Sequence, residues 1–119
     1  MLERQAQKIA FEFLDALPGV MAFAIPNEGT RRRKGSSMVG VKSGWPDIGI
    51  AVPSAKMIWV ELKIKGNKQQ PNQLEIEQKL KKLGHHYHLV TVEHEYQVAA
   101  MLEGILAAHG SDIRENDNG

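Results

Sequence analysis

Two acidic residues and one lysine near the middle of the chain have types and a spacing that suit phosphodiester chemistry. Asp47 follows Pro46, and Glu61 and Lys63 come about fourteen and sixteen residues later. Two adjacent carboxylates repel each other, and a divalent cation between them removes the repulsion. Such a cation acidifies a bound water and neutralises charge on a phosphate, while a lysine orients the water or stabilises the same charge. The pattern therefore predicts metal-dependent phosphodiester hydrolysis.

A predicted β-hairpin positions these groups. Residues 48–52 and 57–60 are short apolar runs, and the segment 53–56 between them has turn-forming residues. Pairing the two runs across this turn places Asp47 opposite the segment 61–63.

Within that segment, alternation along the strand separates the side chains. Glu61 and Lys63 share a face, whereas Leu62 points into the core and offers its carbonyl as a hard oxygen ligand beside the carboxylates. The alternative to a metal site, for a Glu-x-Lys pattern, is an ordinary solvated pair on an exposed strand face.

The chain resembles the PD-(D/E)XK nuclease superfamily and, within it, the VRR-NUC group, the virus-type replication-repair nucleases. The resemblance rests on Gly44-Trp45-Pro46-Asp47, Glu61-Leu62-Lys63 and Gln70-Pro71-Asn72-Gln73, and it covers roughly residues 2 to 100. The family often has serine before the proline of the third motif. This chain has Gln70 there, which weakens the expected helix cap.

Two further residues are candidates for the same site. Glu3 flanks the apolar stripe of the predicted first helix and can reach inward. The resemblance implies that it acts at the metal, directly or through water; alternatively, its charge complements the helix N-terminus. Gln73 lies on the inward side of the helix that begins at Pro71. Its amide either binds the scissile phosphate or a metal-bound water, or ties the helix to the preceding loop.

The charge of the chain is distributed unevenly, although its formal net charge is only +1. Nine basic and two acidic residues lie between Arg31 and Lys68, while six acidic residues and one basic residue follow from Glu93 onward. A basic region attracts phosphate backbones. The predicted DNA-binding residues are Arg31, Arg32, Arg33, Lys42, Lys65 and Lys68. The segment 28–43 is predicted to be a flexible basic loop that closes on DNA; the alternatives are a disordered linker and an ordinary solvated charge run.

The apolar periodicity predicts a single α/β domain over residues 1–110, with a mixed β-sheet flanked by helices in the order α-β-β-β-α-β-α. The polar segment 111–119 is predicted to be a disordered tail. The last predicted helix, 93–109, has more apolar surface than such a sheet needs, which suits a dimer interface.

Several other classes are disfavoured. The chain has no cysteine, so disulfides and zinc–thiolate sites are excluded. His85, His86 and His88 have no accompanying carboxylate at a ligand spacing, so they indicate a strand rather than a metal site. The polar start predicts no signal peptide, and no apolar run approaches the ~20 residues of a membrane span. We expect no membrane and no nucleotide cofactor.

Together, the residues and the resemblance predict a Mg²⁺- or Mn²⁺-dependent DNA endonuclease. Small members that resemble this chain commonly act as symmetric dimers on branched DNA, and a two-fold dimer suits a four-way (Holliday) junction. The resemblance also implies the cytoplasm of a bacterial or phage-infected cell. The alternatives are a nuclease for flaps, nicks or unspecific DNA, and a nucleic-acid-binding module without catalysis.

Overall fold

The helices and strands follow the predicted order α-β-β-β-α-β-α. The computed structural model describes residues 1–26, 43–53 and 56–110. The elements are α1 (Glu3–Asp15), β1 (Met21–Ala24), β2 (Ile48–Ala51), β3 (Ile58–Ile64), α2 (Pro71–Lys82), β4 (His86–Val92) and α3 (Glu95–Ala108). The predicted tail and all but Ser43 of the predicted basic loop lie outside the described residues. Among the described helices, none has the length and apolar character needed to cross a bilayer.

The four strands form one mixed sheet in the order β1-β2-β3-β4, which confirms the predicted fold class. β2 pairs antiparallel with both β1 and β3, whereas β3 and β4 are parallel and are joined through α2. A parallel pair needs such a crossover connection. Because Ile48 pairs with Val60, the same register places Asp47 opposite Glu61.

One face of the sheet carries the core. In α1, Ala6, Ala10 and Leu14 recur every fourth residue, and all three are fully buried. They pack with α3 against alternate residues of the strands. The sheet residues of this core are Ile48, Ile50, Ile58, Val60, Leu62, Val90 and Val92. Leu62 is therefore a core residue, and its neighbours Glu61 and Lys63 are on the opposite face of β3.

Helix α2 covers only part of that opposite face. It begins at Pro71, and Gly84 follows it with a φ of +91°, a conformation that glycine adopts without strain. Its contacts with the sheet are mainly with β4, where Leu80 is buried. The β1–β2 part of this face carries aromatic side chains instead.

Gly49 is required by these aromatic side chains. It pairs with Phe23 on one side and Trp59 on the other, and a Cβ at this position would lie 2.5 Å from Phe23 Cζ and 2.9 Å from a Trp59 ring atom. The two rings occupy the space over the backbone of β2 and meet edge to face, with centroids 6.1 Å apart.

Replacing Gly49 with alanine should therefore lower the free energy of unfolding by about 1–3 kcal/mol, because both rings must move. Gly104, in the middle of α3, has no atom within 4 Å of the position that a Cβ would occupy. Gly104→Ala should raise the free energy of unfolding by roughly 0.5–1 kcal/mol, since alanine favours the helix. Urea titration of both variants measures the difference. Equal effects of the two substitutions would contradict the crowding at Gly49.

Candidate active site

The predicted site residues meet in one cleft of about 170 Å³ at the start of β2, beside β3 and the start of α2. Its lining residues are Glu3, Gly44, Trp45, Asp47, Glu61, Lys63, Gln70, Asn72 and Gln73. All five side chains predicted for the catalytic set, Glu3, Asp47, Glu61, Lys63 and Gln73, are among them. The roles predicted for these residues remain predictions.

Asp47 is held by the backbone of the neighbouring strand. The Leu62 N–H donates a hydrogen bond of 2.7 Å to Asp47 Oδ2. In an antiparallel pair, the N–H and C=O of one residue point to the same side, so the Leu62 carbonyl is directed toward the same edge of β3. In the register of Ile48 with Val60, the residue opposite Leu62 is Pro46. Proline has no N–H to occupy that carbonyl.

Glu61 is a buried carboxylate with an incomplete set of partners. Glu61 is only 1% exposed to solvent. Gln73 Nε2 donates to Glu61 Oε2 at 2.6 Å, and Lys63 Nζ lies 3.7 Å from the same oxygen. The other oxygen, Oε1, is buried and receives no hydrogen bond from a described residue. Because a buried carboxylate oxygen without a donor or cation costs free energy, this atom marks the place where a ligand would be stabilising.

The electrostatics agree with two carboxylates in contact. Burial, and then the charge of Asp47, raise the pKa of Glu61 to about 8, against the opposing effect of Lys63. Burial also raises the pKa of Glu3, with Lys63 lowering it and Asp47 adding to the increase. The three acids and the lysine therefore influence one another across the cleft.

The donor set fits a hard divalent cation that keeps much of its water. Asp47, Glu61 and the Leu62 carbonyl are oxygen donors, as Mg²⁺ and Mn²⁺ prefer, and Mg²⁺ commonly takes only one or two carboxylates. Within residues 1–26, 43–53 and 56–110, no group of three or more His, Cys, Asp or Glu side chains is placed to hold a metal ion. Glu3 lines the cleft but does not form such a group with the other two acids.

Gln73 makes one of the contacts that the sequence left as alternatives, the tie to the preceding loop, and it also contacts Glu61. A contact with the scissile phosphate or a metal-bound water stays a prediction. Gln73 Oε1 accepts a hydrogen bond of 2.7 Å from the Gln70 N–H, which satisfies a free donor at the start of α2. Its Nε2 donates to Glu61. The side chain thus ties the helix to the preceding loop and positions a predicted metal ligand.

Gly44 allows the loop before Asp47 to approach α2. Its φ is +87°, and a Cβ would lie 2.7 Å from the main-chain oxygen of Asn72. Any other residue would be strained and would also collide with the helix start. The glycine of the Gly-x-Pro-Asp motif therefore has a structural reason: it brings Asp47 and Gln73 to the same cleft.

A hydrogen-bond network behind the cleft was not foreseen from the sequence. Gln69 Nε2 donates to Tyr87 Oη at 3.0 Å and to Glu77 Oε1 at 2.9 Å. Burial, followed by the negative charges of Glu61 and Glu77, raises the pKa of Tyr87, so its hydroxyl stays protonated. The network links the β3–α2 connection to β4. The only sequence signal for it is that Gln69 comes directly before the Gln70–Gln73 motif.

The predicted DNA-binding residues are only partly described. Arg31, Arg32, Arg33 and Lys42 lie outside the described residues. Lys65 is exposed and forms an ion pair with Glu93, with 3.3 Å between Nζ and Oε2. Lys68 is exposed on the turn that follows β3.

The histidines of β4 form a cluster with His109, a residue that no sequence pattern connects to them. His88 Nε2 and His109 Nε2 are 2.8 Å apart, and the ring of His86 stacks on that of His109 at a centroid distance of 3.9 Å. Burial, and then the charges of His109 and His86, lower the pKa of His88. Among the described residues, these histidines do not form a group that is placed to hold a metal ion.

Comparison with known proteins agrees with this fold. No family sequence model matches the chain, and no curated protein matches it. A solved structure described as "VRR_NUC domain" is 27% identical, with 85% of this chain and 94% of that chain covered and a TM-score of 0.58. A second, "VRR_NUC domain protein", is 18% identical, with coverages of 90% and 89% and a TM-score of 0.61.

The fold, the cleft and these neighbours define a nuclease-type α/β domain. In fold and in its three motifs, the chain is similar to these solved VRR-NUC domains.

Proposed function

We propose that this protein is a divalent-metal-dependent DNA endonuclease that hydrolyses phosphodiester bonds in the cleft between β3 and α2. The observation that supports the proposal most directly is the buried Glu61 carboxylate beside the half-buried Asp47, with Glu61 Oε1 lacking any hydrogen-bond donor among the described residues. A structural salt bridge would not need two acids at one point, since Lys63 is a single cation. A cation-binding site does need them.

The roles of the residues follow from their positions. Asp47, Glu61 and the Leu62 carbonyl would hold Mg²⁺ or Mn²⁺, with Glu3 acting directly or through water. When bound, the ion supplies charge neutralisation at the phosphate and acidifies a water. Lys63, next to Glu61, orients that water or stabilises charge on the phosphate oxygens. Gln73 holds Glu61 in place through its amide.

DNA is the proposed substrate because basic residues are concentrated between Arg31 and Lys68, the part of the sequence that contains Asp47, Glu61 and Lys63. Arg31, Arg32, Arg33, Lys42, Lys65 and Lys68 are proposed to contact phosphates. Lys65 would exchange its exposed partner Glu93 for a phosphate at little cost, since exposed ion pairs contribute less than about 1 kcal/mol.

Within this function, we favour four-way junctions cut by a homodimer. A two-fold dimer presents two clefts to two strands, which matches the symmetry of a junction. The outer face of α3 exposes large apolar side chains, with Tyr96 75% and Met101 38% exposed, as a surface between two copies would require.

Cleavage of a labelled four-way junction, a flap and a linear duplex of matched sequence tests the proposal. Wild type and Asp47→Ala are compared with Mg²⁺, Mn²⁺ or EDTA, and Glu12→Gln controls for loss of an exposed carboxylate on α1, outside the cleft. We expect wild type and Glu12→Gln to cut the junction with either metal. Asp47→Ala should be at least about 10³-fold slower while still binding DNA.

Paired nicks across the junction would support a dimeric junction nuclease. Preferential cutting of the flap or the duplex would support the proposed metal site but would show that a four-way junction is not the preferred substrate. Metal-independent binding without any cutting would overturn the endonuclease and leave a nucleic-acid-binding module. Normal cutting by Asp47→Ala would overturn the site.

A further inference from the structure

The aromatic side chains on the open part of the sheet form a continuous surface that starts in the cleft. Phe23, Gly49 and Trp59 are neighbours in register across β1, β2 and β3. Trp45 contacts Trp59 edge to face, with ring centroids 5.4 Å apart, and Phe23 contacts Trp59 on its other side. We call Phe23, Trp45 and Trp59 the aromatic surface.

This surface is not part of the hydrophobic core. The core lies on the other face of the sheet, against α1 and α3, and α2 packs mainly on β4. The described helices therefore leave the aromatic surface open, and Phe23 is 40% exposed while its neighbour on β1, Met21, is 72% exposed. The indole N–H of Trp59 is buried without an acceptor among the described residues, a cost that a phenylalanine filling the same space would avoid.

The backbone is adapted to these rings. Gly49 leaves the space above β2 to Phe23 and Trp59, since any Cβ would collide with both rings. Rings that lie over a strand backbone present aromatic surface outward. Contiguous exposed apolar surface of this kind usually marks a place where another molecule binds.

Trp45 connects the aromatic surface to the chemistry. It lines the same cleft as Asp47, Glu61 and Lys63. A DNA strand whose phosphate lies beside these charged residues therefore has its neighbouring bases next to Trp45. In a duplex the faces of those bases are covered by stacking, but in an unpaired strand they are free to stack on aromatic side chains.

We propose that the aromatic surface binds unpaired bases of the DNA strand that enters the cleft, which makes single-stranded segments at branches and ends part of the recognised substrate. The proposal rests on the proposed function in naming DNA, but it concerns a separate surface and a separate kind of contact. Continuity with the charged cleft favours a nucleic acid over a second copy of the chain.

The test uses the protein's own fluorescence, because its only two tryptophans, Trp45 and Trp59, both belong to the aromatic surface. An oligothymidylate of ~8 nucleotides is titrated into wild type in EDTA, so that no cleavage occurs. An abasic phosphodiester of the same length is the control for charge alone. We expect the oligothymidylate, and not the abasic strand, to quench the tryptophan fluorescence and to bind more tightly.

Variants at the exposed edge separate stacking from other uses of the surface. Phe23→Leu should weaken oligothymidylate binding about 10-fold, Phe23→Tyr should restore it, and Met21→Ser should leave it unchanged. Unfolding temperatures identify any variant that fails to fold, in which case Phe23→Tyr and the abasic control still decide.

Three results would overturn the proposal: equal binding of the abasic strand, no quenching by the oligothymidylate, or self-association that disappears in Phe23→Leu and Met21→Ser while DNA binding is unchanged. The last would identify an interface between copies. Because the binding measurement is made without metal, it is independent of cleavage. Quenching by the oligothymidylate, combined with no cleavage in Mg²⁺, would refute the nuclease function and support the stacking surface. Cleavage in Mg²⁺ without quenching would refute the stacking surface and support the nuclease function.

Discussion

Replacing Glu61 with glutamine is expected to abolish cleavage and, at the same time, to stabilise the metal-free protein at high pH. The loss of activity should be about 10³-fold or more, since an amide cannot supply the charge of a metal ligand. Stability should rise because the glutamine keeps an oxygen for the Gln73 N–H and offers its own amide N–H to Asp47. One substitution thus shows both that cleavage requires the Glu61 carboxylate and that this carboxylate lowers the free energy of unfolding of the metal-free protein.

The sign of the stability change follows from the pKa of Glu61. The ordinary pKa of 4.5 is raised to about 8 in the folded protein. Between these pH values the folded state holds a proton that the unfolded state has released, so the free energy of unfolding falls as pH rises. Glu61→Gln removes this dependence. The variant should match wild type near pH 5 and exceed it by about 4 kcal/mol at pH 9, since each unit of pKa shift corresponds to about 1.4 kcal/mol.

Urea unfolding in EDTA at pH 5 and pH 9 measures both values, and Glu103→Gln is the matched control. Glu103 is an exposed carboxylate on α3, so its amide variant should differ little from wild type at either pH. A difference between Glu61→Gln and wild type that is the same at both pH values would contradict the proton held at Glu61. Retained cleavage by Glu61→Gln would remove Glu61 from the metal site.

The fold was largely predictable because its strongest signals are local. Apolar spacing marks α1, Pro71 and Gly84 bracket α2, and a short turn between two apolar runs fixes the antiparallel register of β2 and β3. That register is what places Asp47 opposite Glu61. The parallel pairing of β3 with β4 is different, since it depends on how α2 packs after leaving the sheet, and no local pattern specifies it.

The site was predictable as a set of residue types but not as a set of contacts. The two motifs and the hairpin sufficed to bring Asp47, Glu61 and Lys63 together. The double use of the Gln73 amide and the contact of Gly44 with Asn72 depend on the distance between a loop and a helix start, which tertiary packing sets. The same holds for His109, which meets His88 only because α3 returns across β4.

Replacing Lys63 with methionine is expected to impair both cleavage and stability. Cleavage should fall about 10²- to 10³-fold, because a charge beside the reacting phosphate is lost while the proposed metal ligands remain. The free energy of unfolding at pH 9 should fall by about 2 kcal/mol, because Glu61 and Asp47 lose a nearly buried cation. At pH 5 the loss should be smaller, since Glu61 is protonated there and no longer needs a counter-charge.

The double variant Glu61→Gln/Lys63→Met distinguishes this explanation from a general packing defect. If Lys63 stabilises the fold by offsetting the Glu61 charge, the two substitutions should show a coupling of more than about 1 kcal/mol at pH 9 and little at pH 5. The matched control is the exposed pair of Lys79 and Glu75, 3.1 Å apart on α2. Its coupling should stay below about 0.5 kcal/mol at both pH values. Additive effects of the Glu61 and Lys63 substitutions at pH 9 would show that Lys63 acts on the phosphate alone.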